Sequence, residues 1–236
     1  MFNVIPIGVN GLYATQYSPT SCYLVRAGGK TIVLDLGSGA FSKLFAYVKP
    51  ENIDLLVLTH FHFDHVSDVG TFGYYMQSYP KKIRLACPCD EEHVRLFGLK
   101  DRFDLSFISE GENIDLDGVK ISFLKCRHPV TAFAVKIGCG GKTLCYTSDT
   151  NVCPNVDEMF SGSDLVVADA AFLHSEWSDK KPHLSAKLVA EYAKKHSVRT
   201  LLTHLNPRTE QADVLSESKL ITDLCELIVP DKVYDV

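Results

Sequence analysis

No stretch of this chain reaches the eighteen or more consecutive apolar residues that a membrane-crossing helix needs, so no membrane association is expected. No Cys-x-x-Cys pair occurs among the eight cysteines, at 22, 87, 89, 126, 139, 145, 153 and 225. That absence removes the commonest thiolate zinc and redox patterns. Cys87-Pro88-Cys89 is read as two incidental thiols in preference to a metal-binding or disulfide pair. Met1-Phe2-Asn3-Val4-Ile5-Pro6 has neither the basic start nor the apolar segment of a secretory signal. The cysteines are therefore read as reduced, mostly buried thiols, and the expected location is cytoplasmic. Positive charge is not in excess: 24 Lys and Arg stand against 29 Asp and Glu, for a formal net charge of −5. A broad basic surface for duplex nucleic acid is thus excluded, and a small anionic substrate is not. No short-period repeat, low-complexity tract or linker interrupts the chain. The composition, 46% hydrophobic and 22% charged, is that of a globular protein, and 1–236 is expected to form a single domain.

What is present is a chain of short strands with helices between them. Strands are predicted at 2–8, 21–26, 30–36, 53–58 and 81–86. Residues 103–107, 112–116 and 118–127 alternate apolar and polar side chains, the mark of antiparallel strands. Further strands are predicted at 132–137, 142–147, 164–168, 198–203, 225–229 and 232–236. Helical spacing predicts helices over 40–48, 65–79, 89–96, 183–196 and 211–224. Ala27-Gly28-Gly29 reads as a tight hairpin turn, and Pro50 as a helix stop. The early and late halves each hold strands plus helices, which fits a pair of facing β-sheets with helices outside.

Chemistry concentrates at Thr59-His60-Phe61-His62-Phe63-Asp64-His65, where the apolar strand Ile53–Leu58 ends. Three of nine histidines fall within six residues, together with an aspartate. Positions two apart in an extended segment point the same way, so His60 and His62 can aim at one point. Asp64 and His65 follow at the turn and can aim at a second. Imidazole with carboxylate suits zinc, and manganese or iron can occupy such mixed nitrogen and oxygen sites. His128, Asp149 and His204 each stand at the end of another predicted strand. Taken singly, each reads equally as a loop or strand-end residue.

The run His60-x-His62-x-Asp64-His65, followed in order by His128, Asp149 and His204, resembles the metal motifs of the metallo-β-lactamase superfamily. That resemblance implies an α/β fold, a four-layer αββα sandwich of two mixed or mostly antiparallel sheets flanked by helices. It implies two divalent metal ions, by default Zn2+, with Mn2+ or Fe also admissible. One would sit on His60, His62 and His128, and the other on Asp64, His65 and His204, with Asp149 bridging. Asp35, in Asp35-Leu36-Gly37-Ser38-Gly39, would orient the metal loop without binding metal. The nucleophile would be a metal-bridging hydroxide, with Asp64 accepting its hydrogen bond, and the centre would stay net positive, which favours an anionic substrate.

The block Ala168-Asp169-Ala170-Ala171-Phe172, then His183-x-Ser185, then Leu201-Leu202-Thr203-His204, is similar to ribonuclease Z and its near relatives. It implies that His183 assists the leaving group or contacts the phosphate. Asp169 would be its carboxylate partner, one methylene shorter than the family's usual glutamate. Ribonuclease Z carries a tRNA-gripping arm between the metal histidine and the bridging aspartate; here only twenty residues separate His128 from Asp149. The expected substrate is therefore a small or single-stranded phosphodiester. A lactone or thioester hydrolase on the same fold, and a non-catalytic metal-binding module, are the alternatives. Loops 10–20 and 172–182, with Tyr13, Tyr17 and Trp177, are where substrate choice is expected. Related single-domain enzymes often form homodimers.

Overall fold

The computed structural model describes residues 1–236 and places them in two compact units, Met1–Ser109 with Pro230–Asp235, and Glu110–Val229. In the first, strands β1 (Phe2–Gly8), β2 (Cys22–Ala27) and β3 (Lys30–Leu34) form an antiparallel meander. Gly28 and Gly29, both at positive φ, make the β2–β3 turn, as an L side chain rarely can. From β3 the pairing becomes parallel, through β4 (Leu55–Val57), β5 (Arg84–Pro88) and β6 (Asp104–Ile108). Helices α1 (Ala40–Leu44), α2 (Phe63–Val66), α3 (Val69–Met76), α4 (Glu91–Leu96) and α5 (Leu99–Arg102) fill the connections. A core containing Leu24, Val33, Leu56, Phe72, Leu85 and Phe103 joins helices to sheet.

The second unit repeats the plan. β7 (Asn113–Leu116), β8 (Val119–Lys125), β9 (Phe133–Cys139) and β10 (Lys142–Tyr146) are antiparallel. β11 (Leu165–Asp169), β12 (Arg199–Thr203) and β13 (Cys225–Leu227) then add in parallel. Helices α6 (Pro154–Phe160), α7 (Ala186–His196) and α8 (Gln211–Lys219) make the crossovers. In α7, Ala186, Val189, Ala190 and Ala193 are buried, an i, i+3, i+4, i+7 stripe against the sheet. The last strand, β14 (Tyr234–Asp235), pairs with β1 in the first unit's sheet. Two mixed seven-stranded sheets with helices result. No helix is long and apolar enough to cross a membrane.

Three local expectations need correction. The 103–107 segment is antiparallel to nothing: β6 is the parallel edge strand of the first sheet. Alternating exposure marks any strand with one wet face, whatever its direction. The helix expected over 65–79 is two, α2 and α3, because Asp68 turns inward. Its N–H donates to the Leu36 carbonyl and its carboxylate accepts from Phe41 N–H at 2.9 Å. Pro50 opens a short 3-10 turn instead of ending a helix, since its fixed φ suits a first helical position. Two short helices, α5 and α6, were not foreseen.

All eight cysteines are free. Burial pushes the Cys145 thiol up to about 12, and burial together with Cys89 does the same to Cys87. Cys87 is buried and Cys89 exposed, so the two thiols of Cys87-Pro88-Cys89 differ in their access to solvent. With Ellman's reagent at pH 8, the native protein is expected to label rapidly at Cys89. Cys22, Cys87, Cys126, Cys145 and Cys225 should react only on unfolding, read by peptide mapping of timed samples.

Candidate metal centre

Strand direction collects the chemistry. In the first unit β1, β3 and β4 run the same way, since two antiparallel pairings separate β1 from β3 and a parallel one joins β3 to β4. Their carboxyl ends lead to Leu12, to Asp35 and to His60–His65. In the second unit β8, β10, β11 and β12 also share one direction. Their carboxyl ends lead to His128, Asp149, Asp169 and His204. Sites on sheets with parallel strands belong at such ends.

The first unit's group is built on Asp35, fully buried at φ 59°. Its carboxylate accepts from Thr59 N–H at 2.8 Å, from Thr59 Oγ1 at 2.9 Å and from His65 Nδ1 at 2.8 Å. Thr59 Oγ1 spends its one hydrogen on Asp35, so His60 Nδ1, 3.1 Å away, must be the donor to it. Both rings are thereby set as Nδ1–H tautomers, with the lone pair on Nε2. His60 lies edge-on to His62, centroids 4.9 Å apart, and 4.1 Å from His65. Asp64 Oδ2 accepts Leu12 N–H at 3.0 Å and stands 3.8 Å from His65 Nε2. Gly37 makes this packing feasible: a Cβ there would lie 2.1 Å from the Asp64 carbonyl oxygen and 2.2 Å from Thr20 Oγ1.

The second unit's group centres on Asp149, 1% exposed and preceded by Ser148 at φ 53°. Asp149 Oδ1 stands 3.3 Å from His204 Nε2, and Oδ2 stands 3.9 Å from His128 Nε2. His204 itself sits at φ 55°. Left-handed backbone at non-glycine residues costs about 1–3 kcal/mol each and collects at functional sites. His128 Nδ1 faces the Pro182 carbonyl at 3.2 Å, an acceptor only, so Nδ1 carries the hydrogen. His183 Nδ1 bonds Asp169 Oδ2 at 2.9 Å. The short carboxylate of Asp169 does reach, and it also accepts from Thr150 N–H and Ala171 N–H. The His183 ring stacks on His204 at 4.9 Å and lies 5.4 Å from His128.

Two nitrogen or oxygen donors on one tetrahedral zinc, each at about 2.0–2.1 Å, stand roughly 3.3 Å apart. The Asp149 Oδ1 to His204 distance, 3.3 Å, matches that separation; Oδ2 to His128, at 3.9 Å, is longer, and both are long for good hydrogen bonds. Oδ1 faces His204, whereas Oδ2 faces both His128 and, at 3.8 Å, His183 Nδ1. The donor set of imidazole Nε2 and carboxylate oxygen is therefore the right one for divalent zinc-like ions. The His183–Asp169 contact is different. At 2.9 Å it is a direct hydrogen bond, so the pair is not two ligands of one ion, although donor atoms of Asp169, His183 and His204 fall within 4.8 Å of each other.

The structure thus groups His60, His62, Asp64 and His65 with Asp35 in one unit, and His128, His183 and His204 around Asp149 in the other, with Asp169 behind His183. Sequence reading missed Thr59, the Leu12 N–H and the Pro182 carbonyl, which hold these side chains. Two of the three act through backbone and carry no residue-type signal. His93 is half-buried and stacks on Phe61 at 5.0 Å and 15°, with Asp90 on its Nδ1. Trp177 is engaged in packing: its N–H donates to Asn151 Oδ1 at 3.0 Å and its ring stacks on His174. Tyr17 is exposed.

The metallo-beta-lactamase superfamily model matches residues 16–74. A probable metallo-hydrolase, YhfI of Bacillus subtilis, is 29% identical over 210 residues, which is 86% of each chain. The crystal structure of the metallo-beta-lactamase fold protein YhfI from Bacillus subtilis superposes with a TM-score of 0.93, at 25% identity, over 100% of this chain and 99% of that one. Ribonuclease Z of Archaeoglobus fulgidus is 21% identical over 287 residues, covering 94% of this chain and 93% of its own.

Replacing Asp35 by alanine strands three donors in a dry interior, at roughly 1–3 kcal/mol for each group left unsatisfied. Asp35→Ala is therefore expected to lose about 3 kcal/mol or more of stability in urea titration. A loss within 1 kcal/mol would remove Asp35 as the organiser of the loop.

Proposed function

We infer that the chain is a metallo-hydrolase of the metallo-β-lactamase superfamily, and on that premise we propose that it is a binuclear metal-dependent phosphodiesterase acting on a small or single-stranded phosphodiester. The observation that carries the reading is His183, held by Asp169 and stacked on His204. A hydrolase of lactones or thioesters needs no such histidine beside its ligands, whereas a phosphodiester with a poor leaving alkoxide does. The likeness to ribonuclease Z over most of the chain supports the same choice.

We assign His60, His62 and His128 to one divalent ion and Asp64, His65 and His204 to the other, with Asp149 shared. Zinc is the ion the donor set suits best. Bound there, two such ions would supply a water ionised near neutral pH, its pKa brought from ~15.7 towards ~7, and positive charge for the phosphoryl oxygens. Asp64, anchored by Leu12 N–H, is an acceptor that orients that water's proton. Thr59, Asp35 and the Pro182 carbonyl keep the histidine tautomers correct before any ligand arrives, so no reorganisation is needed. His183, once protonated, keeps Nδ1–H on Asp169 and presents Nε2–H to the departing oxygen. Asp169 steadies the resulting imidazolium with its negative charge and fixes the ring's direction.

Purified protein is expected to cleave bis-p-nitrophenyl phosphate, to lose that activity on chelation and to regain it with zinc or manganese. Elemental analysis should give two ions per chain. Chelator-resistant cleavage, or none of any ester, would refute the assignment. On a diester with an unactivated alkoxide leaving group, such as a dinucleotide, His183→Ala should lower kcat by about 10²–10⁴-fold with metal content intact, the range for a lost general acid, and by less on bis-p-nitrophenyl phosphate, whose p-nitrophenolate leaves without protonation. If metal content falls in parallel with activity, His183 is a ligand and not the acid.

A further inference from the structure

A cavity of about 200 Å³ opens beside His128, lined by Arg127, Pro129, Asp179, Lys180, Lys181 and Pro182 as well. It is smaller than the roughly 300–1,000 Å³ of a pocket for a whole drug-sized ligand. Its scale is that of one charged group. Three cations line it against one carboxylate, in a chain whose net charge is −5.

The charges are not equivalent. Arg127 is engaged by Asp179, with Nη1 on Oδ1 at 2.6 Å and Nη2 on Oδ2 at 3.1 Å, and its Nη2 also donates to the Asp179 carbonyl at 2.7 Å. This pairing holds Arg127 above its usual pKa through that hydrogen bond and leaves Asp179 below the ordinary carboxylate range. The guanidinium is thus a strut between the His128 loop and the 178–182 segment. Asn151 Nδ2 adds bonds to the carbonyls of Ser178 at 3.1 Å and Lys181 at 2.5 Å. With Arg127 and Asp179 neutralising each other, the lysines carry the cavity's uncompensated charge. Lys180 and Lys181 therefore stand on a backbone tied down from two sides. Lys181 places its ammonium 5.3 Å over the Phe172 ring, and Phe172 lies 5.6 Å from the His183 ring.

From this geometry we propose that the cavity is an anion subsite, in which Lys180 and Lys181 take a second phosphate carried by the substrate next to the scissile one. The inference rests on the phosphodiesterase reading and narrows it to polyanionic, nucleotide-type diesters. Two exposed ammonium groups on one phosphate contribute modestly in water, together about ten-fold in affinity. The contribution falls with salt, as it does for any exposed pair.

The test compares thymidine 5′-(p-nitrophenyl phosphate) with the same diester bearing a 3′-phosphate, in the wild type, in Lys180→Ala/Lys181→Ala and in Lys180→Arg/Lys181→Arg. The wild type should prefer the 3′-phosphorylated diester about ten-fold in kcat/KM, through KM, and less at 0.5 M than at 0.05 M NaCl. The alanine pair should abolish the preference and the arginine pair keep it. Calorimetric titration with thymidine 3′,5′-bisphosphate and thymidine 5′-monophosphate should give the same ranking as a direct binding readout. Equal affinity for the two nucleotides in the wild type, or an undiminished preference in the alanine pair, overturns the subsite. Failure of the wild type to cleave bis-p-nitrophenyl phosphate would overturn the phosphodiesterase reading instead, and is scored separately.

Discussion

A buried carboxylate that is denied water must be given donors, and this constraint organises both halves of the chain. Asp35 collects two bonds from Thr59 and one from His65; Asp169 collects Thr150 N–H, Ala171 N–H and His183. In each case one donor is a histidine Nδ1, at 2.8 and 2.9 Å. The carboxylate therefore does two things at once. It satisfies itself in a dry interior, and it decides which nitrogen of a functional ring carries the lone pair. Loss of either carboxylate would disturb the chemistry by the same route through which it disturbs the fold.

The repeated plan of the two sheets explains why such groups can accumulate. Each sheet starts as an antiparallel meander and finishes with parallel strands joined through helices. In that arrangement several strands share one direction, so their following loops emerge at one edge. Positive-φ residues at Asp35, Ser148 and His204 mark where the chain turns off these strands. The sheets are rigid enough to hold that strain, and the short loops have little freedom to relax it.

Electrostatics then separates recruitment from chemistry. The chain is acidic as a whole, which disfavours indiscriminate binding to nucleic acid. Positive charge is rationed: Arg127 is neutralised by Asp179, while Lys180 and Lys181 remain beside His128. A cationic site within an acidic protein selects small anions over long duplexes, which fits the substrate class proposed.

The residue types at 60–65, and their order with His128, Asp149, His183 and His204, were legible in the chain because donor chemistry is a property of side chains. The two-sheet plan was legible too, since strand and helix periodicities are local. Strand direction at 104–108 was not, because an edge strand alternates alike in parallel and antiparallel pairing. The break at Asp68 was hidden because its cause, a bond to Phe41 N–H, comes from 27 residues away. The backbone groups that hold the site's side chains belong to the same class: the Pro182 carbonyl accepts from His128 across 54 positions, and Leu12 N–H donates to Asp64 across 52. Sequence alone determined which atoms were available to bind and react. Tertiary structure decided which nitrogen of each ring would be offered, because backbone donors and acceptors are identical in every residue and only folding brings a particular one into reach.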